Sequence, residues 1–213
     1  MKGKIVVNQE VLLPEYLPDK LSFREVEYRE LSASVRNRIS VFVVGPVGSG
    51  KSSLVKLLQR ETGAERFRYV DCLIHDTEYA VLKEVVPMMR AAFLSSTFEL
   101  IEELRRLSRK IRLTVCLDNF VRLERMDVVE KLTALGLTII LVSGVERDLQ
   151  LLPANAAPKP PRVPTLRDYA DQETYGILRE RAQEGLVKSS FEDSYWASSS
   201  ARPTGTSHWE STF

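Results

Sequence analysis

The chain is 213 residues long, 44% apolar and 28% charged, with a formal net charge of +1. That size suits one α/β domain with a small appendage, and the composition is that of a globular protein rather than a disordered or fibrous one. The near-neutral balance excludes a whole-chain nucleic-acid surface, so any such surface would be local. No apolar run approaches a membrane span, and the N-terminus has no secretory segment.

Residues 1–20 hold short apolar pieces broken by Pro14 and Pro18 and read as an extended arm. Residues 22–38 turn helical, with charges spread among Val26, Leu31 and Val35. The apolar run 40–44 predicts a first strand. It leads into Gly45-Pro46-Val47-Gly48-Ser49-Gly50-Lys51-Ser52-Ser53, which contains G-x-x-x-x-G-K-S, the P-loop pattern. The glycines let the backbone turn tightly and approach a phosphate closely. The loop N–H groups converge on phosphate oxygens, and the following helix adds its positive end. Lys51 would reach the β- and γ-phosphates, and Ser52 would give a hydroxyl to Mg²⁺. The alternative is a chance glycine turn. The complete pattern between a strand and a helix with Leu54, Leu57 and Leu58 on one face argues against it.

Further on, 66–72 alternates like a strand, and 77–93 is helical with Pro87 as a kink. Residues 96–110 form a helix with Leu100, Leu104 and Leu107 on one face. Five of the eight residues from 105 to 112 are Lys or Arg. Cations complementing a helix C-terminus explain this run more simply than a DNA patch does. Residues 112–118 form an apolar strand ending in Asp118, the pattern of a second metal-holding carboxylate. Edge solvation is the plainer explanation of an acid there, but the upstream P-loop favours the metal role. A helix over 127–135, closed by Gly136, precedes a buried strand over 137–143. Alternating strands and helices of this kind predict a mostly parallel sheet covered on both faces.

The stretch 153–164 has five prolines and reads as a hinge. Residues 165–186 are helical again. Eight of the 25 residues from 189 to 213 are serine, and that tail reads as disordered. The organisation is an arm and helix over 1–38, a core over 39–152, a hinge and partial lid over 153–188, and a tail. Cys72 and Cys116 stand 44 residues apart in strand-like context. They read as reduced core thiols of a cytoplasmic protein. Neither His75 nor His208 has ligand-spaced partners.

Four segments carry a family resemblance. Residues 11–18 with Arg24-Glu25, the P-loop, Tyr69-Val70-Asp71-Cys72 with 75–79, and 165–185 resemble the archaeal Orc1/Cdc6-type replication initiators, a branch of the AAA+ ATPases. The similarity runs over residues 8–186. It implies an α/β fold of P-loop NTPase, AAA+ type: a parallel sheet flanked by helices, with a rudimentary helical lid. It implies ATP or ADP with Mg²⁺ as ligands, and a protein partner in the replication machinery. Tyr16, Leu17 and Pro18 carry over as adenine-side groups, and Lys51, Ser52 and Asp118 as phosphate and metal groups. The departures are as informative. The family has Asp-Glu where this chain has Asp118-Asn119, so the residue that polarises the attacking water is an amide. A sensor Asn is replaced by Val142-Ser143-Gly144. The arginine-finger segment is proline-rich, with Arg162 its nearest candidate. The DNA-binding winged helix has no counterpart, so DNA contact should be weak or indirect. The expectation is a truncated, divergent relative with slow or absent hydrolysis; the alternative is a nucleotide-gated interaction module.

Overall fold

Side chains alternate across four strands, and this sorts the core into two halves. The computed structural model describes residues 5–13, 15–153 and 165–187. The chain divides into two compact units, one over Asp19–Asp168 and one formed by the described residues of 1–18 and 169–187.

In the larger unit the strands are β1 (Val41–Val44), β2 (Phe67–Asp71), β3 (Thr114–Asp118) and β4 (Thr138–Ser143). They are all parallel, in the order β1-β4-β3-β2. β1, β3 and β4 are buried along their whole length, as the unbroken apolar runs require when both faces are covered. Val41, Val43, Cys116, Ile140 and Val142 point to one face. There they meet Leu31 of α1 (Glu25–Arg36) and Leu54, Val55 and Leu58 of α2 (Lys51–Thr62). Phe42, Val44, Val115, Leu117, Ile139 and Leu141 point to the other. That face is covered by α3 (Glu78–Val85), α5 (Thr97–Ser108) and α6 (Asp127–Ala134), with the short α4 (Met88–Ala91) between. The parallel sheet flanked by helices that was expected from the sequence is therefore the observed one.

Several boundaries differ from the sequence reading. Pro87 breaks the helix predicted over 77–93 rather than kinking it, since Val86 is extended. Residues 165–168 are not helical. Leu166 instead donates its N–H to Val44 O at 2.8 Å, so this stretch lies along the outer edge of β1. Both cysteines are buried and free.

In the smaller unit α7 (Asp171–Gly185) packs on the N-terminal stretch. That stretch is not fully extended, because Glu10–Leu12 forms a 3₁₀ turn. Val7 and Asn8 both donate N–H groups to Gly185 O, and a Cβ at Gly185 would press on Leu12. Arg162, His208 and the stretches 154–164 and 188–213 lie outside the described residues. Among the described residues no helix is long and apolar enough to cross a membrane.

Candidate functional site

Four parallel strands end at one edge of the sheet. Register pairs Val44 with Ser143, Asp118 with Val142, and Asp71 with Asp118. In open parallel sheets ligands bind beyond the carboxyl ends of the strands. The loop 45–50 leaves β1 at this edge.

The loop's shape follows from its glycines. Gly48 and Gly50 take φ of 87° and 91°, left-handed values that a side chain resists. Gly50 then caps α2, accepting the N–H of Leu54 at 2.9 Å. Gly45 is required for a different reason. A Cβ there would lie 2.4 Å from Leu166 O and 2.9 Å from the Ser49 hydroxyl. Pro46, Val47 and Gly48 are exposed at the loop tip, whereas Ser49 is buried beneath it.

Lys51, the first residue of α2, turns back over the loop. Its ammonium donates to Gly45 O at 2.6 Å and Pro46 O at 2.7 Å. Partial burial lowers its pKa, and the carboxylates of Asp118 and Asp168 oppose that shift. Lys51 and Asp118 are thus close enough to interact. Ser52 and Ser53 follow in the first turn of the helix, both half-buried.

Asp118 is 2% exposed. Its Oδ2 accepts the Tyr69 hydroxyl at 2.5 Å from the neighbouring strand. Asn119 leaves β3 in a left-handed conformation, φ 57°, and its Nδ2 donates to Asp71 Oδ1 at 3.3 Å. At the end of β4 the Ser143 hydroxyl donates to the Asp148 carboxylate.

The donor set suits Mg²⁺. This ion takes hard oxygens in octahedral array, and it commonly uses one or two protein groups plus substrate phosphates. A buried carboxylate at 118 and a hydroxyl at 52 meet that description.

The residues that the resemblance assigns to the adenine side lie in the other unit. Tyr16, Leu17 and Pro18 are half-buried, and Tyr16 donates its hydroxyl to Glu184 Oε2 at 3.1 Å with the Arg181 guanidinium 5.8 Å over its ring.

Sequence reasoning passed over Arg24. Its guanidinium is fully buried, donating Nε–H to Ser49 O at 3.0 Å and Nη2–H to Arg167 O at 2.5 Å, and pairing with Glu27. It ties the buried side of the P-loop to the strap beside β1. The Arg-Glu pair at 24–25 signalled a helix start, but nothing local told of a burial that depends on residues 143 positions away. Tyr69 and Asp71 were also passed over as site residues.

No protein-family profile matches the chain. Curated relatives do. The ORC1-type DNA replication protein 1 of Sulfolobus acidocaldarius is 26% identical over 174 residues, covering 71% of this chain and 44% of the relative. This chain therefore spans less than half of that relative's length. Two solved structures share the fold. The Aeropyrum pernix ORC1 protein in complex with DNA superposes with a TM-score of 0.74 at 24% identity, covering 88% of this chain and 56% of that one. The ADPNP-ADP complex of the Aeropyrum pernix ORC2 protein gives a TM-score of 0.73 at 20% identity, covering 90% and 60%.

Proposed function

We propose that this chain, a relative of the archaeal Orc1/Cdc6-type replication initiators, binds ATP·Mg²⁺ at its P-loop and hydrolyses it slowly. The observation that carries this reading is Lys51 held on the loop carbonyls within the field of Asp118. On binding, the ammonium exchanges two carbonyl acceptors for phosphate oxygens. The loop N–H groups and the positive end of α2 hold the phosphates. Ser52 and Asp118 would hold Mg²⁺, whose charge offsets that of the phosphates. Tyr16, Leu17 and Pro18 are proposed to flank the adenine. ADP would occupy the same cradle after turnover.

Slow turnover follows from Asn119. An amide at the position of a water-activating carboxylate accepts no proton, so a role worth ~10²–10⁴-fold is left to a less directly placed group. A protein partner in replication would read the bound nucleotide, in the cytoplasm. Any DNA contact is weak or indirect. Of the basic run, Arg105 and Arg106 are paired with Glu102 and Glu103, which reduces its local charge.

A second reading, a non-hydrolysing nucleotide-gated interaction module, is favoured by the commitment of Asn119 to Asp71 and of Ser143 to Asp148. Titration with a fluorescent ATP analogue tests what the two readings share. Lys51→Ala should weaken affinity by about tenfold or more, since it removes a charge facing phosphate. Equal binding by the two proteins would overturn both readings. Turnover then separates them.

A further inference from the structure

The carboxylate missing after Asp118 has a neighbour. Asp71 ends β2 in direct register with Asp118, and its Oδ1 lies 3.3 Å from the Asn119 amide nitrogen. That oxygen also accepts the Leu73 N–H at 3.0 Å. Two donors therefore hold Oδ1, while no hydrogen bond from the described residues reaches Oδ2. The side chain is half-buried, at the sheet edge from which the P-loop departs.

We infer that Asp71 is a catalytic residue: it takes over, from the adjacent strand, the activation of the attacking water. The inference rests on the reading of the P-loop as an ATP site and deepens it. Amide and carboxylate are transposed. The amide stands just after β3, where the resemblance puts the acid, and the acid stands at the end of β2, hydrogen-bonded to it. The water donates to Asp71 Oδ2 and gives up its proton there as its oxygen bonds to the γ-phosphorus. The bond to the bridging oxygen breaks, and ADP leaves with that electron pair. The proton then passes to bulk water. The other acids serve less well. Asp148 is engaged by Ser143, Glu78 is paired with Lys131, and Asp168 acts on Lys51 from the strap side.

Asp71 has a purely structural alternative, since its contact with the Leu73 N–H closes a turn after the strand. Asp71→Asn separates the two roles, because an amide oxygen still accepts that bond but does not take a proton. The experiment uses the full chain with ATP at saturating Mg²⁺. Affinity is read by titration and hydrolysis by single turnover. Asp71→Asn should keep affinity within about twofold and the thermal midpoint unchanged, while turnover falls ~10²-fold or more. The transposed pair Asp71→Asn/Asn119→Glu should recover turnover to at least the wild-type rate. Bound ATP whose turnover is untouched by Asp71→Asn overturns this inference alone. A wild-type chain that binds ATP and never hydrolyses it overturns both this inference and the slow-hydrolysis reading, and leaves the non-hydrolysing module. No ATP binding by the wild type overturns the reading of the site and this inference with it.

Discussion

At the sheet edge the Tyr69 hydroxyl donates to the buried Asp118 carboxylate at 2.5 Å. Burial and the adjacent Asp118 push the phenol well above its ordinary range, so it stays a donor at any working pH. Tyr69→Phe removes the one side-chain hydrogen-bond donor to this buried carboxylate among the described residues. We expect a loss of about 1–3 kcal/mol in urea unfolding, the cost of a buried charged acceptor left short of a partner. The cysteines give a pH prediction. Burial, with Asp71 next in order, pushes Cys72 up to about 12, and Cys116 is raised in the same sense. A thiol pKa raised on folding adds stability below its unfolded value. That stability is lost as pH climbs from the ordinary thiol range toward the raised one. Unfolding free energy should therefore fall between about pH 9 and 12, and replacing both cysteines by alanine should flatten that fall. Thiol-reagent labelling at pH 8 should be slow in the native chain and complete in urea. At this scale the sequence disclosed the P-loop and Asp118, because both are contiguous signals. Arg24, Tyr69 and Asp71 stayed hidden, because their meaning lies in partners brought close only by the sheet.

Helix α5 shows how local signals set an element. The Ser96 hydroxyl accepts the Glu99 N–H at 3.3 Å, and Glu99 Oε2 accepts the Ser96 N–H at 3.1 Å, a complete capping box. Leu100, Leu104 and Leu107 are buried at the spacing read from the sequence. Ser96→Ala should cost about 1 kcal/mol, and Leu104→Ala, at a fully buried site, about 2–5 kcal/mol. Denaturant melts of the two variants check that order; a cap loss exceeding the core loss would contradict it. Where the sequence misled, a long-range bond had won over periodicity. Residues 165–168 continue the pattern of α7 on paper, but Leu166 is fully buried and its N–H is taken by Val44 O. Pro87 is the opposite case, since its local chemistry was legible and the chain broke one step further than a kink.

At the scale of the molecule, strand order is what composition and periodicity leave open. Alternating strands and helices implied parallel pairing, but the order β1-β4-β3-β2 comes from crossovers that no local pattern encodes. That order sets Asp118 between Asp71 and β4 and brings the acids to one edge. Duplex DNA binding by the full chain should be weak, lack sequence preference and fall steeply as salt rises, since Arg105 and Arg106 of the basic run are paired with glutamates. A tight complex with one sequence at physiological salt would contradict this. The most direct test of the central claim is ATP binding and single-turnover hydrolysis measured on one preparation under saturating Mg²⁺. The account predicts that ATP is bound and then hydrolysed far more slowly than the ~1 s⁻¹ at the low end of ordinary enzymes. An absence of binding, or turnover at ~1 s⁻¹ or faster, would contradict it.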